Sequence, residues 1–174
     1  CIHATRISLS IGFVTTACSL LAGGILGAIA GFYGGFRDSV IMRLLDVISS
    51  MPSILLSLTI VAVLGTDIKN LMLAIMVSRT PAMARVVRSA VMTVVDTEYI
   101  EAAKAGGTKD VRIIIRHIIP NSIGPIMVQA TMSVASMILQ AASLSFLGLG
   151  IAPPTPEWGA LVSSAREYLR TDTY

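Results

Sequence analysis

The chain has 174 residues, 54% of them apolar and only 13% charged, with a mean hydropathy of +0.79. A soluble domain carries roughly 25% charged residues, so this composition excludes an ordinary water-soluble globule and reads as a membrane protein. The formal net charge of +3 is too slight for a nucleic-acid binder, and the basic residues read instead as topology signals.

The chain opens at Cys1, without a methionine, and reads as a fragment. A mature lipoprotein also begins with Cys, but "IHATRISLSIG" is no polar tether, and no cleavable signal peptide is visible. Between Arg6 and Arg37 no charge occurs, which is long enough for a membrane-crossing helix at 1.5 Å per residue. Within it Gly23, Gly27 and Gly31 recur every fourth residue, a smooth stripe for close helix packing. A phosphate-binding loop is excluded there, because no strand precedes it and no Lys-Ser/Thr follows. Cys18 lies in the same run and reads as a small buried residue. Cys1 and Cys18 have no ligand spacing, so neither a disulfide nor a metal site is expected.

The second run, "IMRLLDVISSMPSILLSLTIVAVLG", is charge-free from Val47 to Leu64, and Pro52 is expected to kink it. Such a bend fits a pathway-lining helix and a purely structural one equally. "GTDIKN" reads as a short polar turn. The third run, "LMLAIMVSRTPAMARVVRSAVMTVV", contains Arg79, which is expected near an interface or facing protein or water. With Arg85 and Arg88 beyond it, this helix is expected to protrude into an aqueous compartment. The fourth run has no charge from Ile118 to Pro156. Pro120 fits a helix start, and Asn121 to about Gln140 is expected to cross the bilayer. "SFLGLGIAPPTPEWG" then reads as a non-helical loop. Trp158, Leu161, Val162, Ala165 and Leu169 next follow helical spacing, with Ser163, Arg166, Glu167 and Arg170 on other faces. That pattern predicts an amphipathic helix in the interface, anchored by Trp158.

Arg37, Arg43, Arg85, Arg88, Lys104, Lys109, Arg112 and Arg116 fall on one side of these four spans, against Arg6, Lys69, Arg166 and Arg170 on the other. The excess of eight over four places the loop before Pro120 in the cytoplasm. In that loop "EYIEAAKAGG" reads as a short helix. Asp96 or Thr97 is expected to cap its start, Glu98 to complement its N-terminus, and Gly106 and Gly107 to provide the left-handed backbone that ends it. Thr108 is expected to cap a second helix with an apolar face of Val111, Ile114, Ile115 and Ile118 and a basic face of Lys109, Arg112 and Arg116. A helix this short is unstable alone in water. Its alanines suit close contact with a preformed groove, in which Glu101 pairs with a basic group or caps a backbone; packing on its own chain is the alternative.

"EYIEAAKAGGTKDVRIIIRHIIPN" resembles the EAA loop of permease subunits from binding-protein-dependent ABC importers: Glu-Ala-Ala, three residues, Gly, nine residues, then Ile-x-Leu-Pro. Glu101, Ala102, Ala103, Gly107 and Pro120 match in place, while His117 stands for the usual Ile and Ile119 for Leu. "GFYGGFRDSVIMRLLDVISSMPSILL", "AMARVVRSAV" and "ASLSFLGLGIAPPTPEWGALVSSAREYL" extend the likeness over almost the whole chain. They resemble the oligopeptide/dipeptide/nickel branch and its second, C-type permease.

The resemblance implies an all-α, polytopic transmembrane bundle with a cytoplasmic coupling helix, in a bacterial or archaeal cell membrane. Residues 1–174 would form a single transmembrane domain lacking one span before Arg6 and another after Tyr174. It implies a half-channel for dipeptides or oligopeptides, with nickel as the alternative cargo. The implied partners are a homologous second permease, two cytoplasmic ATPase subunits, an extracytoplasmic substrate-binding protein and membrane lipid, with no nucleic acid. Glu101, Ala102, Ala103 and Gly107 would form the contact with the ATPase.

The chain carries no G-x-x-x-x-G-K-[ST] loop and no nucleophile–base pair, so no catalytic residue, cofactor or metal is expected. His117 reads as structural and the nine methionines as packing. The residues that touch substrate do not follow from the pattern. A gradient-driven transporter would carry ionisable residues deep in its spans, and only Asp46 and Arg79 come close, neither with an evident partner. A non-transporting scaffold subunit is the third reading.

Overall fold

The computed structural model describes residues 2–150 and 157–171. Among these every regular element is helical: α1 (Ile2–Tyr33), α2 (Gly35–Ser49), α3 (Ser53–Leu64), α4 (Ile68–Val95), α5 (Glu98–Ala105), α6 (Asp110–Ile113), a π-helical turn (Ile114–Ile118), α7 (Ile119–Phe146) and α8 (Trp158–Thr171). Two helical stretches, Ala4–Tyr33 and Asp110–Phe146, are long and apolar enough to cross a membrane, and α2 with α3 makes a third if the broken pair counts as one span. Four spans were expected. The shortfall is α4, whose 28 residues include Lys69, Arg79, Arg85 and Arg88. Arg79 is half-buried along it. Pro52 does more than kink its run: it takes an extended backbone (φ −54°, ψ 133°) and separates α2 from α3. The polar turn after α3 is tied by Asn70, whose amide donates to the Leu64 and Gly65 carbonyls at 2.7 and 3.2 Å.

The chain divides into two compact units. The first comprises residues 1–18, 51–78 and 133–174. Its core is Ile11, Val61, Leu71, Ala74, Ile75, Met137, Ala141 and Leu144. A buried polar knot lies in the same unit. The Gln140 amide donates to the Ser57 hydroxyl at 2.8 Å and the Ser78 hydroxyl at 3.1 Å, and Ser57 Oγ also reaches the Ala74 carbonyl at 3.2 Å. Away from water such groups must find partners in protein, so the knot links α3, α4 and α7. At the start of α8 the Ser145 hydroxyl donates to the buried carboxyl of Glu157, and the Trp158 amide donates to Ser8 Oγ at 3.3 Å. Burial pushes the Glu157 carboxyl above its ordinary value, partly offset by the Ser145 hydrogen bond. Residues 151–156 of the glycine- and proline-rich stretch, and the side chains of Arg166, Glu167, Leu169 and Arg170, lie outside the described residues.

The second unit comprises residues 19–50 and 79–132, with a core of Ala28, Val87, Ala90, Val91, Val94, Val95, Ile100, Ile113, Ile118 and Ile126. Gly23, Gly27 and Gly31 lie against α4 so closely that no side chain fits. A Cβ on Gly27 would stand 2.4 Å from the Ala84 carbonyl oxygen, and one on Gly23 or Gly31 would stand 2.9 Å from the Thr80 or Arg88 carbonyl oxygen. Cys18 differs from its expected burial: it is exposed. It falls on the same face of α1 as the exposed Val14, Leu21 and Ile25, where lipid rather than water is the expected surround.

Candidate functional site

The EAA segment of the sequence folds as α5, eight residues long. Its Glu98 and Glu101 stand in the first turn and Lys104 in the last, each charge complementing the helix dipole. Thr97 occupies the N-cap position with an extended backbone, as expected, but its hydroxyl donates back to the Val94 carbonyl at 2.6 Å instead of capping α5. The hydroxyl is thereby spent on closing α4.

The two glycines part company. Gly106 has φ −74°, while Gly107 alone is left-handed at φ +74°. The Gly107 amide donates to the Lys104 carbonyl at 3.0 Å and the Thr108 amide to the Ala103 carbonyl at 3.1 Å. This crossed pair is the Schellman closure, which satisfies carbonyls left without partners at a helix end. The next helix then starts one residue later than expected, with Lys109 rather than Thr108 at its N-cap.

The inner face of α5 carries Ile100, fully buried in the same core as Val94, Val95, Ile113 and Ile118, and Ala103 and Phe32 pack against that core. Its outer face presents Glu98, Tyr99, Glu101, Ala102 and Ala105 to the surroundings. Gly107 is exposed as well. Among the described residues Glu101 makes no ion pair. The short helix therefore packs on its own chain through one side and turns a small surface bearing Glu98 and Glu101 outward on the other.

The helix after it departs from the sequence reading. Ile113 and Ile118 are buried, whereas Val111 and Ile115, assigned to the apolar face, are 65% and 62% exposed. The reason is the π-helical turn, in which the Ile119 amide donates to the Ile114 carbonyl five residues back. A buried stripe stepping by five replaces the α-helical step of three or four. Pro120 was the available signal: it lacks an amide, so the Arg116 carbonyl cannot keep its α-helical partner. Asn121 Nδ2 donates to the neighbouring His117 carbonyl at 2.6 Å, and His117 itself is half-buried in the turn.

Two ion pairs escaped the sequence reading. Arg88 clasps Asp38, and Arg85 reaches both Asp46 Oδ1 and Ser49 Oγ at 2.9 Å. Asp46 thus has a partner, on α4. Pairs this far apart in the chain leave no local spacing to read. Aromatic rings also meet cations at the end of α1: the Arg37 guanidinium lies 4.4 Å from the Tyr33 ring centre, and Lys104 Nζ lies 5.1 Å from that of Phe32.

Residues 23–168 match the family described as binding-protein-dependent transport system inner membrane component. The chain belongs to that family. It is similar to the dipeptide transport system permease protein DppC of Alkalihalophilus pseudofirmus, 45% identical over 98% of this chain and 56% of that protein. It is also similar to the glutathione transport system permease protein GsiD of Pectobacterium atrosepticum, 43% identical over 93% of this chain and 54% of that protein. The chain thus spans about half the length of the curated relatives it matches. Among solved structures, an inward-facing MetNI methionine ABC transporter matches 98% of this chain and 90% of its own with a TM-score of 0.74 at 16% identity, a likeness of fold. The all-α transmembrane permease architecture and membrane location of this family member are in accord with the resemblance drawn from its residues.

Proposed function

We propose that this family member is a permease subunit of an ATP-driven importer, forming half of a translocation pathway for dipeptides or oligopeptides. The observation that carries the reading is α5, anchored inward by Ile100 and presenting Glu101, Ala102 and Ala105 outward. Such a helix transmits force: its inner face is welded to α4 and to the helix after it, so a push on the outer face moves the packed elements together. Glu101, Ala102, Ala103 and Gly107 form the ATPase contact, with Ala103 and Gly107 shaping it and Glu101 offering the charge. Two ATPase subunits on the cytoplasmic side, a homologous second permease and an extracytoplasmic binding protein complete the assembly. The peptide cargo is supported by the names of the relatives; nickel is the second cargo.

Reconstituted with its partners, the protein should take up peptide only with ATP, and uptake should survive collapse of ion gradients. Cysteines placed at Glu101 and Ala102 should cross-link to the ATPase subunit. Gradient-dependent uptake without ATP, or an absence of cross-links in the active assembly, overturns the reading.

A further inference from the structure

The charges of α5 do not all serve one purpose. Glu101 faces outward, whereas the Lys104 ammonium lies 5.1 Å from the centre of the Phe32 ring on α1. Glu101 stands three residues before Lys104 on the same helix, yet among the described residues Lys104 makes no ion pair. Its cation is directed to the aromatic ring instead. Phe32 is half-buried and packs against the core that holds Ile100, so the ring under the cation is fixed by its own packing. A cation within about 6 Å of a ring centre is attracted by the ring's electron-rich face.

The contact continues past Phe32. The Tyr33 ring meets Phe32 edge to face, at 5.0 Å and 85°, and the Arg37 guanidinium lies 4.4 Å from the Tyr33 ring centre. Lys104, Phe32, Tyr33 and Arg37 thus form a row from α5 across the end of α1 to the first turn of α2. This row spans a joint. Gly34 and Gly35, between α1 and α2, have φ of +60° and +53°, and a Cβ at either would meet nothing within 4 Å. Glycine reaches such angles without steric cost, and no packing fixes the corner at these two positions. The start of α2 is held instead by the row and by the Asp38–Arg88 pair to α4.

We propose that Lys104 is a positioning residue of coupling: it ties α5 to the corner of α1 and α2 through Phe32, so that a displacement of α5 reaches α2 as well as α4. It takes no part in the ATPase contact. The consequence rests on the transport reading, and the link itself rests on the Lys104–Phe32 geometry.

The complete transporter in proteoliposomes reads peptide taken up per ATP hydrolysed. Lys104→Met keeps an unbranched apolar stem and removes the charge. It should lower that ratio about two- to fivefold, the change in population that a surface cation–π contact supports. Lys104→Arg should restore the ratio. Phe32→Leu should lower it to the same level, and the double variant should fall no further. A role in complementing the helix dipole alone would make the two effects add. Capture of the ATPase subunit by a cysteine at Ala102 should be equal in parent and Lys104→Met. Thermal unfolding of the detergent-solubilised protein checks the link without transport: the two substitutions together should lower Tm by less than their sum. An unchanged ratio in Lys104→Met, no restoration by Lys104→Arg, or weaker capture of the ATPase overturns the coupling role. Additive unfolding overturns the link itself. Peptide uptake by the parent without ATP overturns the transport reading, and the coupling role with it, while the unfolding measurement still decides the link.

Discussion

Arg88 holds Asp38 with two hydrogen bonds, Nε to Oδ1 at 2.5 Å and Nη2 to Oδ2 at 2.6 Å, joining residues 50 positions apart on α4 and α2. Both side chains are largely shielded, at 29% and 17% exposure. Removing one partner leaves the other charge without compensation, which costs more than the net worth of the pair. Asp38→Ala should therefore destabilise the protein by about 2–4 kcal/mol, and the reversal Asp38→Arg with Arg88→Asp should recover part of that loss. Thermal unfolding of the detergent-solubilised protein reads both. The exposed Arg85–Asp46 pair, at 43% and 61%, should matter far less, by at most about 1 kcal/mol.

Gly27 and Gly24 make a matched pair three residues apart. Gly27→Ala drives a methyl group onto the Ala84 carbonyl oxygen, a backbone atom that cannot swing away, whereas a Cβ at Gly24 meets nothing within 4 Å. Gly27→Ala should cost about 1–3 kcal/mol by the same unfolding measurement, and Gly24→Ala should be neutral or slightly stabilising.

At the end of α5 the two adjacent glycines should respond oppositely. Gly107→Val places a β-branched residue at φ +74° and should open the Schellman closure, lowering ATP-driven uptake at least about tenfold in correctly inserted protein. Gly106→Ala keeps an ordinary φ of −74° and should transport normally. Equal uptake by all three proteins would show that the closure plays no part in coupling.

Glu157 gives a pH signature. Its carboxyl titrates above the ordinary value of 4.5 because burial penalises the charged form. The unfolded chain thus ionises first, so folding stability is lost as pH rises from the unfolded value through the folded one. Glu157→Gln keeps the shape and an acceptor for Ser145 while removing that penalty. The variant should unfold at a higher temperature than the parent at pH 7–8, and the gap should close as pH falls towards 4. A gap independent of pH would mean that the carboxyl is not protonated more readily in the folded state.

The membrane class and the position of α5 were legible because each rests on short-range rules: hydropathy over a window, a carboxylate in a first turn, a glycine past a last one; the caps were not, since the Thr97 hydroxyl turns back to α4 and Lys109 replaces Thr108. Which of Gly106 and Gly107 turns left-handed was not legible, since either sequence position allows it and the crossed hydrogen bonds decide. The Asp38–Arg88 clasp depends on three-dimensional proximity across half a hundred residues. Cys18 was misread because an apolar run in a membrane protein has two apolar surroundings, protein and lipid, and hydropathy does not separate them. Val111 and Ile115 were misread for another reason: an α-helical count was carried across a stretch that steps by five.

That wider turn has a geometric corollary. It carries one residue more than an α-helical ladder would use between Asp110 and Ile119. At about 100° per residue, deleting a single position there would swing α6, and α5 attached to it, by more than a quarter revolution about the axis of α7. The extra residue thus sets the clock angle at which α5 shows its acidic side, and a homologous sequence aligned with a one-residue gap here would point that side elsewhere.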